Sequence, residues 1–309
     1  MLNRREFATV LAGGMASTIT HAAEKPSIID THTHFYDPKR PEGVDWPGKD
    51  DKSLYRSVLP PEFVTLTKPY GVSGTVVVEA SPRLADNDWL LDLADAHPII
   101  VGVVGRLAPA DPKFGEHLSR LAKRKLYRGF RINNAELKEV MKDPKILNKF
   151  SLMIDAGLTL DINGGPDVLP IVLAAAKQFP KLKIVLNHIG NVRIDGKTIP
   201  VAWKDDIAKL AHHPMVTCKL SALVEGTGKS DGTAPKDVEY YRPTIDVVWK
   251  AFGEDRLVFG SNWPVADRFA SYGTVFGIVD EYLKGKPAGA RAKVLSGNAI
   301  KAYGVNIKV

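Results

Sequence analysis

Two histidines one residue apart, His32 and His34, stand in the stretch IIDTHTHFYDP at residues 28–38. Side chains at i and i+2 of a strand share a face, so the pair is placed to act together. A third histidine, His188, ends the apolar run KIVLNH at 183–188. Three imidazoles meeting at one point leave an open coordination position. That arrangement suits a divalent metal, zinc first, which polarises a carbonyl or lowers the pKa of its bound water to about 7. On the residues alone the alternative stays open: a trio of enclosed histidines hydrogen-bonded to one another and to Asp30. His97, His212 and His213 stand just before prolines, and His117 falls inside a helical pattern. These four read as surface histidines near helix ends or on helix faces.

The residues that must position the trio are legible as short β-branched runs separated by amphipathic segments. The runs are SIID, GTVVVE (74–79), IIVGVVG (99–105), YRGFRI (127–132), LTLDIN (158–163), KIVLNH (183–188), MVTCKL (215–220) and RLVFG (256–260). Most are apolar nearly throughout, as strands covered by helices are. Helical patterns lie between them, at 87–97, 114–125, 146–156, 168–179, 203–211 and 242–252, with two more at 272–283 and 290–303. Strict alternation of this kind predicts a single-domain (β/α)8 TIM barrel over residues 24–309. The rival is an open doubly wound sheet. It lacks the Gly-rich phosphate loop after the first strand, where the two histidines stand instead.

In such a barrel the chemistry sits at the C-terminal ends of the strands. Glu79 ends the second run, Arg131 and Asn133 the fourth, Asp161 and Asn163 the fifth. Lys219 and Ser221 close the seventh, Ser261 and Asn262 the eighth. Arg131 follows Gly129, and its guanidinium can clamp a carboxylate or sugar-acid oxygen with a bidentate fork. It can equally pair with Glu79 or Asp161. Asn133 and Trp263 are further candidates for substrate contact, and the long segments 35–61 and 225–239 read as functional loops over the mouth.

Composition narrows the class. The 309 residues are 44% hydrophobic and 25% charged, with a net charge of +7 from lysines and arginines spread over the chain. No dense basic run interleaved with aromatics marks a nucleic-acid surface, so the expected partner is a small molecule. The single Cys218 excludes an intramolecular disulfide framework. The first residues, NRREFATVLAGGMASTITHAA, pair Arg4 with Arg5 before a weakly apolar stretch and small residues at Ala22 and Ala23. They read as a twin-arginine export signal over residues 1–23, implying a periplasmic protein. The stretch is too short and too rich in Gly and Thr to leave a membrane span.

The motifs DTHTHFYDP, VVVEAS, YRGFRIN, IVLNHIGN, CKLSAL and FGSNWPV together resemble the amidohydrolase-2 branch of the amidohydrolase superfamily. Within it the chain is most similar to the group of sugar-acid lactonases and dicarboxylate-lactone hydrolases, over about Ile28 to Tyr303. The resemblance implies a (β/α)8 barrel and hydrolysis of a lactone or similar cyclic ester. It puts the family's histidine pair on His32 and His34, the later histidine on His188 and the substrate arginine on Arg131. Members of the family differ in cofactor: some bind one zinc, others work without metal.

One position departs from that pattern. Many relatives end the last strand Gly-Ser-Asp-Trp-Pro, with the aspartate as general base; here Asn262 follows Ser261. A carboxamide does not take a proton near neutral pH. The base is then expected from Glu79 or Asp161, or from Asp267 reaching back. Two other outcomes follow from the same residues: non-oxidative decarboxylation on the same scaffold, or a periplasmic binding protein that kept the pocket and lost the base.

Overall fold

The computed structural model describes residues 27–307; the export signal read in residues 1–23 lies outside them. The eight expected strands form, as β1 (Ile28–Thr33), β2 (Val72–Val78), β3 (Ile100–Gly105), β4 (Tyr127–Asn133), β5 (Thr159–Asn163), β6 (Lys183–Leu186), β7 (Val216–Leu220) and β8 (Leu257–Phe259). Each pairs in parallel with the next, in the order of the sequence. The last then meets the first. Thr33 and Trp263 form a parallel bridge, the Asn262 N–H donates to the His32 carbonyl at 2.8 Å, and the His34 N–H donates to the Trp263 carbonyl at 2.9 Å. This closure makes the sheet a barrel and excludes the open alternative.

Alternation along the strands divides the core into two layers. Phe130, Ile132, Leu160, Ile162, Leu186, Leu220 and Phe259 pack outward with the helices in one large cluster. Ile29, Val76, Val104, Val185 and Val258 form a second, inner cluster with Ala299, Tyr303 and Val305. The C-terminal segment thus seals the barrel interior from one end. Asp161 and Lys219 occupy inner positions too, and they are the charged pair of the interior: Lys219 Nζ lies 2.8 Å from Asp161 Oδ2, both side chains fully buried. The Tyr303 hydroxyl donates to the same Asp161 oxygen at 2.9 Å, which ties the C-terminal plug to the barrel.

Helices differ from expectation in four places. The expected helix over 146–156 is broken into two short ones, Pro144–Leu147 and Phe150–Asp155. A helix at Asn134–Lys142 was not anticipated, although Asn133 and Glu136 build a full capping box at its start. Another, Pro60–Thr67, ends the first long loop, with proline in its first turn. The expected helix over 290–303 is interrupted by a π-helical turn at Lys293–Gly297. There the Asn298 amide donates to the Glu254 and Leu257 carbonyls, both at 2.7 Å, holding the segment against β8. Among the described residues no helix is long and apolar enough to cross a membrane.

Candidate active site

The strand ends gather the polar residues around one cavity of about 390 Å³, with His34, Arg131, His188, Glu225, Asn262 and Trp46 among its walls. That volume lies in the range of small-molecule sites. His32 sits behind the cavity wall, its ring 4.3 Å from that of His188 and 5.0 Å from that of His34, centroid to centroid. All three rings are held neutral. Burial is the main cause for each, helped by the cationic neighbours Lys219 and Arg131; it pushes His34 down to about 3 and the other two well below the usual imidazole range.

Hydrogen bonds fix how the rings point. His34 Nδ1 lies 2.9 Å from the Val78 carbonyl, which only accepts, so the ring proton is on Nδ1 and the lone pair on Nε2. That Nε2 faces Asn262 Oδ1 at 3.3 Å. His188 Nδ1 shares a hydrogen bond of 2.8 Å with Ser221 Oγ, which also accepts the His188 N–H. His32 Nδ1 lies 3.3 Å from Lys219 Nζ, and its Nε2 is buried without a partner.

The backbone here is strained. His188, Ile189, Asn191, Ala222 and Asn262 all have φ between 43 and 61°, a region L-residues other than Asn and Asp rarely adopt. They cluster at the ends of β6, β7 and β8, and such clustering marks functional sites. The strain turns the chain sharply after each strand, which aims His188 and Asn262 into the mouth.

Arg131 donates from Nε to Glu79 Oε1 at 3.0 Å and from Nη2 to the Glu79 carbonyl at 2.8 Å. These bonds lock the guanidinium against the wall and leave Nη1 for a ligand oxygen. Glu79 is therefore the holder of Arg131, and both line a second recess continuous in residues with the first, where Asn133 and Arg106 also stand. Asn133 spends its side-chain oxygen on the Glu136 N–H as a helix cap.

A model of the family described as Amidohydrolase matches residues 29–305. The chain belongs to the amidohydrolase family. The L-fucono-1,5-lactonase of Burkholderia ambifaria is 32% identical to it over 294 residues, covering 90% of this chain and 96% of that one. The L-fucono-1,5-lactonase of Burkholderia multivorans is 28% identical, covering 89% and 95%. An amidohydrolase from Burkholderia multivorans whose crystal structure holds zinc superposes with a TM-score of 0.81 at 27% identity, covering 90% and 99%.

Two expected site residues of this amidohydrolase take other places. Asp161 is committed to Lys219, Tyr303 and Thr159 inside the barrel and does not line the cavity. A proton acceptor at Asp161 is thus corrected to an interior ion pair, because its position on β5 falls one pleat below Asn163. Trp263 is 1% exposed and packs against Phe35 and Phe63, ring centroids 6.1 and 5.5 Å away. Its expected contact with substrate is corrected likewise: the residue after Asn262 turns back into the core.

The trio suits a divalent ion by donor type rather than by a finished cage. Neutral imidazoles are zinc donors, the His34 Nε2 lone pair faces another acceptor, and His32 Nε2 is an orphan. Among the described residues, however, no group of three His, Cys, Asp or Glu side chains is arranged as a metal centre.

Several wall residues escaped the sequence reading, Asn191, Phe269, Trp46 and Glu225 among them. Trp46 reaches in from the first long loop and stacks edge-on to His34, centroids 5.8 Å apart. Glu225 begins the second long loop on the turn Glu225–Thr227 and accepts a 2.7 Å hydrogen bond from Asn262 Nδ2. Glu225 lies five residues past β7, on a turn rather than at a strand end. The only available signal was that it is the first carboxylate after that strand.

Proposed function

We propose that this amidohydrolase opens a lactone ring by attack of water, with a sugar-acid lactone as substrate. The observation that carries the reading is the convergence of a locked cation, Arg131, and neutral imidazoles on one cavity ringed by hydrogen-bonding groups. The relatives named L-fucono-1,5-lactonase support the choice of ester over amide. Hydroxyls of a sugar acid find donors and acceptors in Asn163, Asn191 and Asn262, while Trp46 and Phe269 offer apolar faces to the ring.

Each of the chain's own groups has a part. Arg131, held by Glu79, orients the ring and stabilises negative charge developing on the carbonyl oxygen. His34 and His188 line the place where water meets the carbonyl carbon. The Asp161–Lys219 pair holds His32 from behind. Should a divalent ion bind, His32, His34 and His188 would hold it, and it would supply Lewis-acid polarisation of the carbonyl. We read residues 1–23 as delivering the enzyme to the periplasm. Fusing them to a folded reporter, with and without Arg4→Lys and Arg5→Lys, tests that by which compartment holds the reporter.

A panel of 1,4- and 1,5-lactones of sugar acids, run with metal analysis of the same purified protein, tests the function. Ring opening that vanishes in His34→Ala and His188→Ala is expected. Ring opening unaffected by both substitutions contradicts the site.

A further inference from the structure

Replacing aspartate by Asn262 leaves the site without a base at the end of β8, and the carboxylates expected to substitute for it are engaged elsewhere. Glu79 holds Arg131 and Asp161 holds Lys219. Asp267 does not line the cavity, and its charged neighbours are Arg56, Glu62 and Glu225 rather than the cavity histidines. Glu225 is different. It lines the cavity with His34, His188 and Arg131; its Oε1 is tethered to Asn262 Nδ2, and its Oε2 is shut from solvent with no partner. A carboxyl oxygen left unpaired in a buried wall is unfavourable to folding, so its presence asks for a reason beyond stability.

We propose that Glu225 is the general base of the ring opening, an inference that rests on the hydrolase reading above. Its carboxylate takes a proton from water as the water oxygen bonds to the lactone carbonyl carbon and the π pair moves to the carbonyl oxygen. Collapse of that adduct breaks the bond to the ring oxygen, and the proton on Glu225 passes to the leaving oxygen. Water and lactone are consumed, a hydroxy acid is formed, and Glu225 returns to its starting state.

Asn262 is the positioning residue in this scheme. With the ionised carboxylate, its amide donates to Glu225 and sets its oxygen against the His34 lone pair, two acceptors 3.3 Å apart. Turned over, it donates to His34 Nε2 and accepts from a protonated Glu225, so both contacts become proper hydrogen bonds. The amide can therefore hold either state of Glu225, the ionised carboxylate through its N–H and, turned over, the protonated one through its oxygen. Burial independently pushes the Glu225 carboxyl up to about 7, against the Asn262 hydrogen bond and the Arg268 charge; Asp267 adds to the rise. Tyr241, whose own hydroxyl is raised by burial, packs near enough to feel the Glu225 charge. A pKa near the working pH is what a general base needs.

The test is the pH profile of kcat for wild type, Glu225→Gln, Glu225→Asp and the double variant Glu225→Gln, Asn262→Asp, on a lactone the wild type opens. Wild type should lose activity on the acid side with a midpoint near about 7. Glu225→Gln, nearly isosteric, should lower kcat by about 10²–10⁴-fold with KM little changed and should abolish that acid limb. Glu225→Asp keeps the carboxyl, so it should fall less and retain the limb. Position 262 is left-handed, which Asp tolerates as Asn does, so the double variant should recover at least about tenfold over Glu225→Gln, with its limb moved to lower pH. A Glu225→Gln enzyme with wild-type kcat and an unchanged acid limb overturns the assignment while the hydrolase reading stands. A wild type that opens no lactone overturns the hydrolase reading and this assignment with it.

Discussion

Arg131 is where a single side chain carries the most binding. Its Nε and Nη2 are occupied by Glu79, so the loss of the guanidinium removes a ligand contact and leaves Glu79 unpaired. A hydrogen bond to a charged group is worth about 1.5–3 kcal/mol. Arg131→Ala should therefore raise KM about ten- to hundredfold in steady-state assays of a lactone. Arg131→Lys should recover little of that, because an ammonium cannot hold the Glu79 clamp and present a second nitrogen to the ligand at once. At this scale the sequence was most informative where chemistry is coupled to strand periodicity. His32, His34, Arg131 and His188 could be found by looking at strand ends. Asp161 obeyed the same periodicity but sits a pleat deeper, and depth along a strand is not encoded by residue type. Glu225 was invisible because a turn, not a strand, delivers it.

At the level of elements, the two long loops make the cavity. The first returns to the barrel at a two-way bridge between Tyr36 and Val58. It is pinned by Arg40 on Asp86, by Arg83 on Asp45 and by Arg268 on Asp51. Those pins present Trp46 to the site. Trp46→Ala should lower kcat/KM by about tenfold or more through misplacement of the ligand, while the melting temperature moves little, since the ring is only partly buried. Trp263→Ala should do the reverse kind of damage. Removing a fully buried ring costs about 3–5 kcal/mol, read as a lower midpoint in urea. The strands were legible because each carries a run of β-branched or other apolar residues, nearly unbroken in β3 (Ile100–Gly105) and β8 (Leu257–Phe259). The Asn134–Lys142 helix was missed because its polar sequence hides the apolar stripe of Leu137 and Val140. Its Asn133-x-x-Glu136 cap was a usable signal. The fold of the loops was not legible at all, because it rests on ion pairs between residues tens of positions apart.

For the whole molecule, burying ionisable groups at the mouth couples stability to pH. Glu225 has a folded pKa of about 7 against an ordinary 4.5, so the folded state holds a proton that the unfolded chain has released. Stability from this group is therefore intact below about 4.5 and lost as pH rises toward 7. Asp30 contributes in the same direction, with a folded value of about 6 set mainly by burial. His34, lowered to about 3, acts oppositely: its contribution is present above the ordinary imidazole pKa and is lost as pH falls toward 3. Glu225→Gln removes the first of these terms. Its stability relative to wild type should rise between pH 5 and pH 8 by at most about 3 kcal/mol, read from denaturant midpoints at the two pH values. A constant difference would mean that Glu225 titrates normally.

The central claim is hydrolysis of a sugar-acid lactone at this cavity, and the most direct measurement is turnover of such lactones in water enriched with oxygen-18. The account predicts one solvent oxygen in the new carboxyl group of each hydroxy acid formed, with the rate abolished in His34→Ala. Ring opening absent across the panel, or carbon dioxide released from an aromatic or enol acid instead, would contradict it.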